Sequence, residues 1–64
     1  MFEVTILGPR NETGERPGPK VLVPALPRIG DWIEHEPSGV KGDVKSVSFW
    51  WDEHGKLTVT VEAF

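Results

Sequence analysis

Two short runs, Glu34-His35-Glu36 and Asp52-Glu53-His54, set imidazoles beside carboxylates. These are the residue types that hold Zn²⁺ or Ni²⁺, or that move protons. On a strand, Glu34 and Glu36 share one face and His35 takes the other, so the first run does not converge on one ion. The second lies on a turn, where side chains splay. A site would need the two runs to meet in space, and their spacing matches no known ligand pattern. A solvated acidic rim is the expectation, with no metal. Nucleophilic catalysis has little more to work with. There is no cysteine, and none of Ser38, Ser46 and Ser48 sits in a Gly-x-Ser-x-Gly elbow. A domain this small also offers scant interior in which to desolvate a reaction. The residues therefore point to binding without catalysis and without a cofactor.

For binding, two groups stand out. Gly14-Glu15-Arg16-Pro17-Gly18-Pro19-Lys20 invites a phosphate-loop reading and fails it. Pro19 stands where the second glycine belongs, Val21 follows the lysine, and no helix comes next. A looser clamp for a nucleotide or other anion, made by Arg10, Arg16 and Lys20 with Arg28 further on, is the alternative to a plain solvated loop. The other group is Trp32, Trp50 and Trp51. Adjacent Trp50 and Trp51 point to opposite faces of a regular strand. By phase with Val47 and Phe49, Trp51 is expected inward and Trp50 outward. An outward tryptophan is a natural interface anchor or stacking platform, unless loop 8–20 or Phe64 covers it.

Charge narrows the partner. The chain has a formal net charge of −3, whereas proteins that ride on duplex DNA are usually basic over a whole face. Arg10, Arg16, Lys20 and Arg28 outnumber the acids in residues 8–30, and residues 31–64 are acidic overall. No basic leader precedes the short apolar stretch Phe2–Leu7, so neither a signal peptide nor a membrane span is expected. Lack of cysteine fits a reducing cytoplasm. Asn11-Glu12-Thr13 matches a glycosylation sequon and is read as coincidence.

These residues must be positioned by strands. Phe2, Val4 and Ile6 alternate with polar neighbours, as do Leu57, Val59, Val61 and Ala63. Val47, Phe49 and Trp51 share a face, and Val44 falls out of phase with them, which predicts a bulge near Lys45-Ser46. Asp52-Glu53-His54-Gly55 supplies turn chemistry between residues 44–51 and 56–63, so a hairpin is expected there. Lys20–Val23 reads as a short strand ended by Pro24, and Trp32–Glu36 as another. Six prolines, seven glycines and no helical periodicity argue against helices, apart from one 3₁₀ turn that would fit near Ala25–Gly30. Residues 8–20 carry no large apolar side chain and read as a long, flexible, exposed loop. The whole is one all-β domain of five strands. It is either a small SH3-like barrel or a strongly twisted antiparallel sheet stabilised by pairing with another chain.

The stretch Leu26-Pro27-Arg28-Ile29-Gly30-Asp31-Trp32-Ile33, then Gly42-Asp43-Val44-Lys45-Ser46-Val47 and the closing Leu57–Val61, resembles a pattern in small, largely uncharacterised bacterial and phage proteins. The resemblance spans residues 26–63 and implies an SH3-like barrel from a bacterium or phage, without implying an activity. Gly42-x-Val44-x-x-Val47 also resembles the strand of KOW-type barrels, some of which bind RNA or ribosomal partners. The leading expectation is a protein-binding module, self-associating in its simplest form, with Trp50 at the contact and Trp32 or the loop at its rim. The alternatives are a phage-type protein that sequesters a nucleotide or other anion, and a barrel that binds single-stranded nucleic acid. Neither a membrane nor duplex DNA is an expected partner.

Overall fold

Alternating apolar and polar residues build five strands, β1 (Phe2–Leu7), β2 (Lys20–Val23), β3 (Trp32–His35), β4 (Val40–Trp51) and β5 (Leu57–Ala63). The computed structural model describes residues 1–64. It contains no helix, and so none long and apolar enough to cross a membrane. The strands form one sheet of order β2-β1-β5-β4-β3, curled into a half barrel. The all-β fold expected from the alternation is the fold observed. β2 and β3 remain its two edges.

One ladder departs from an antiparallel sheet. β1 lies parallel to β5, with Thr5, Ile6 and Leu7 opposite Thr60, Val61 and Glu62, while the other three pairings are antiparallel. The molecule is thus a β1–β2 hairpin joined side by side to a three-stranded β3–β4–β5 meander, and the join merges their apolar faces. The core is Val4, Ile6, Val40, Val44, Val59, Val61 and Ala63, with Val21, Val23, Leu26, Ile33 and Val47 packed around it. All seven core residues are aliphatic, and most are β-branched, which suits a pleated surface.

The β4–β5 hairpin forms as the sequence indicates. Its register shifts between Val44, opposite Ala63, and Ser46, opposite Glu62, leaving Lys45 unpaired. That extra residue changes the inward phase from Val40, Gly42 and Val44 to Val47, Phe49 and Trp51. At the turn, the Asp52 carboxylate accepts from the backbone N–H groups of His54 and Lys56, at 2.9 Å each. Gly55 takes a φ of 79°, a conformation that favours glycine.

The segment 8–20 prolongs the β1–β2 hairpin. Ile6 and Gly8 donate backbone hydrogen bonds to the carbonyls of Pro19 and Pro17, and Asn11 donates to Glu15. The Asn11 side-chain oxygen accepts from Thr13 N–H, Thr13 Oγ1 and Glu15 N–H. The sequon residues therefore cap this loop from within.

Gly42 marks the tightest approach in the fold. Phe64 donates its N–H to the Asp43 carbonyl, and its backbone crosses directly over Gly42. A Cβ on Gly42 would stand 2.6 Å from both Cα and C of Phe64, and the glycine φ is 154°. Gly42→Ala should therefore push the C-terminus off β4 and destabilise the fold by about 1–3 kcal/mol, the usual cost of overpacking. Urea denaturation of the two proteins measures this directly, and Gly14→Ala, with open space around its Cβ, provides the comparison for backbone effects alone.

Candidate functional site

The apolar face of the sheet is longer than its cover. Its rows run across the strands from Val61 through the pairs Val47–Val61, Phe49–Val59 and Trp51–Leu57. Near the middle, Val59 and Val61 are buried. Toward the hairpin turn the same face emerges into water: Phe49 is 48% exposed, Leu57 43% and Trp51 64%. Phe2, in phase with Val4 and Ile6 on β1, is 48% exposed at the same end. β1 pairs with β5 only from Thr5 onward. Below that point the two strands part around a groove of about 280 Å³, lined by Met1, Phe2, Leu57 and Val59 together with the charged Glu3, Lys20 and Lys56.

Phase assigns Trp51 to the inward face, and the structure corrects the burial that this assignment implies. Trp51 lies on the apolar face but is not buried, because β4 has run past everything that covers the face. Trp50 takes the opposite side as expected and is 52% exposed. Its cross-strand partner is Thr58. The C-terminal Phe64 packs elsewhere, with the Lys45 ammonium 5.7 Å from its ring centre. Trp32 is exposed on β3 opposite Asp43, and its Nε1–H donates to Glu34 Oε1 at 2.8 Å. Trp32 and Trp50 are separated by about seven residues of β4, on the order of 20 Å along the strand. They do not form one platform.

The basic residues are dispersed. Arg10 donates from Nη1 to the Gly14 carbonyl at 2.8 Å and so folds onto its own loop. Lys20 lies on the edge strand β2, opposite Thr5. Arg28 stands in the turn before β3, where its N–H donates to Asp31 Oδ2 at 2.9 Å. Arg10 and Arg16 line a shared recess with Ser38 and Gly39, which Lys20 and Arg28 do not reach.

Arg16 is engaged in the fold. Its Nε–H donates to the Gly8 carbonyl at 2.9 Å, opposite Pro17, which accepts from Gly8 N–H but has no N–H to return. The arginine supplies the donor that proline lacks. Its Nη2 reaches Glu62 Oε2 at 2.6 Å, and Glu62 Oε1 accepts from Ser46 Oγ at 2.9 Å. One network therefore ties the loop to β5 and to the bulge of β4. The Arg16 guanidinium, and after it the Ser46 hydroxyl, hold the Glu62 carboxyl below its ordinary value, outweighing the opposing desolvation.

The histidines stay apart from one another. His35 Nδ1 lies 2.8 Å from Ser38 Oγ, and His54 Nε2 lies 3.5 Å from Glu53 at the exposed turn. No three acidic or histidine side chains converge.

Residue types alone pick out the tryptophans and the basic loop, but not Phe2, Phe49 and Leu57 as surface residues. The signal for them is their shared phase with buried neighbours, which gives the face and not its cover. Glu62 and Ser46 give no signal, since their partner lies in a distant loop.

The Glu62 network has a pH signature. A carboxyl with a lowered folded value stabilises fully above its ordinary range, and loses that contribution as pH falls through the lowered value. Wild type should therefore melt higher than Glu62→Gln at neutral pH. The gap should shrink below about pH 4, where carboxylates protonate. Thermal melts of both proteins from neutral to acid pH check this. No protein-family model, curated protein or solved structure matches the chain.

Proposed function

We propose that this chain is a non-enzymatic binding module that docks a protein on the exposed apolar end of its β4–β5 hairpin. One observation carries the reading: Phe49, Trp51, Leu57 and Phe2 continue the core face into solvent. Single exposed apolar residues are ordinary, whereas a contiguous group of aromatics at the end of a core face is the composition of an interface centre. Large aromatics give the most binding free energy when a partner desolvates them. Trp50, on the reverse of the same hairpin, extends the contact to any partner that grips the arm from both sides. The Arg16 charge already meets Glu62, which leaves less of it for a bound anion. The setting that fits the sequence motifs is the cytoplasm of a bacterium, or of the host cell if the chain is phage-encoded.

Affinity capture tests the reading. Immobilised wild type and the double variant Phe49→Ser/Trp51→Ser are exposed to bacterial lysate, with added free chain as one of the candidate partners. The expected result is at least one protein retained by wild type and reduced tenfold or more on the variant. Identical retention on both surfaces, with no binding of free chain, would refute a docking role for this end.

A further inference from the structure

The size of the uncovered surface bears on what the partner is. A folded monomer of 7.1 kDa is expected to expose about 4,100 Å². This chain exposes 4678 Å², an excess of roughly 600 Å² over that expectation. The molecule measures 35 × 24 × 19 Å, and the long hairpin contributes to its elongation. The excess belongs to the whole chain, the exposed residues 9–15 included. Two copies that each hid an area of that size would bury about 1,200 Å² together, the lower bound of a specific protein–protein interface.

The chemistry of the patch suits a copy of itself. Phe2, Phe49, Trp51 and Leu57, at the exposed end of the apolar face, are themselves uncharged. Two such patches brought together therefore meet through uncharged side chains at their centre, with charges of both signs, Glu3, Lys20 and Lys56, at the rim. A two-fold arrangement needs only one self-complementary patch on each copy. It also answers the weakness of a small core. Only nine of 64 residues are buried, and chains of this size commonly gain support from oligomerisation. The edge strands are less suited to the role. β2 begins with Lys20 and is flanked by Pro19 and Pro24, and β3 carries Glu34 and His35, features that discourage strand addition.

Resting on the protein-binding reading above, we infer that the occupant of this face is a second copy of the chain, packed hairpin against hairpin about a two-fold axis. Trp51 is the anchor, and Phe49, Leu57 and Phe2 surround it. The contact is small, so the dimer forms on the order of micromolar concentration rather than nanomolar.

Sedimentation equilibrium of the purified chain, from about 1 μM to 1 mM, tests this. Wild type should pass from one chain mass to two as concentration rises. Trp51→Ser should stay at one chain mass throughout, and Trp50→Ser should dimerise as wild type does. Because Trp51 lies outside the core, the variant should keep the wild-type circular dichroism. Leu57→Lys, which would set two like charges across the axis, gives an independent second disruption. A dimer that survives both Trp51→Ser and Leu57→Lys, or one lost only with Trp50→Ser, overturns this interface. A chain that remains monomeric at about 1 mM overturns self-pairing. In that event, capture of a different protein on the same face leaves the protein-binding reading standing, whereas an empty capture removes both.

Discussion

Val61 occupies the point on which the rest of the fold depends. It sits on the central strand with Ile6 beside it on β1 and Val47 beside it on β4, and it is wholly buried. The parallel ladder with β1 joins the β1–β2 hairpin to the β3–β4–β5 meander, and no other ladder connects them. Burial of Val4, Val44 and Val61 where they meet gives that join its apolar driving force. An isolated hairpin is at best marginal in water, so β1 and β2 depend on this junction, and the three-stranded unit gains Val4 and Ile6 through it to complete the core. The Arg16–Glu62–Ser46 network reinforces it from the outer side, and the backbone of Phe64 closes it over Gly42.

A core centred so far from the hairpin turn has a direct consequence. β4 is twelve residues long, and its alternation continues beyond the region that β1, β2 and the segment after β2 can cover. The side chains still obey the pleat, so apolar residues keep arriving on the inner face after its cover has ended. The bulge at Lys45 puts Phe49 and Trp51 on the inner face, and strand length beyond the cover leaves them, with Leu57 opposite, exposed. The same geometry that builds the core produces the candidate contact surface.

Much of the fold is legible in the residues. Period-2 alternation, the Asp52–Gly55 turn and the phase slip between Val44 and Val47 are enough for the last hairpin and its bulge. These are local signals, each set by a handful of neighbouring residues. The direction of β1 against β5 is not legible, because a parallel neighbour can be brought in from any distance along the chain and leaves no mark on either strand. The partner of Arg16 is hidden for the same reason. Trp51 shows the limit most clearly: phase correctly gives its face, but burial depends on what other elements lie above that face. Of the candidate contact residues, the tryptophans can be named from type alone, while Phe2, Phe49 and Leu57 require the three-dimensional end of the core.

On the proposed reading, the uncovered end of the apolar face, marked by Trp51, is where this chain meets its partner, a second copy. Three tryptophans supply one indole N–H resonance each, so a dilution series followed by proton–nitrogen correlation NMR probes every position in one sample. With signals assigned by single Trp→Phe replacements, the Trp51 indole should shift progressively with concentration, while those of Trp32 and Trp50 move far less. Unchanged indoles across the whole series, or a shift confined to Trp50, would exclude this face as the contact.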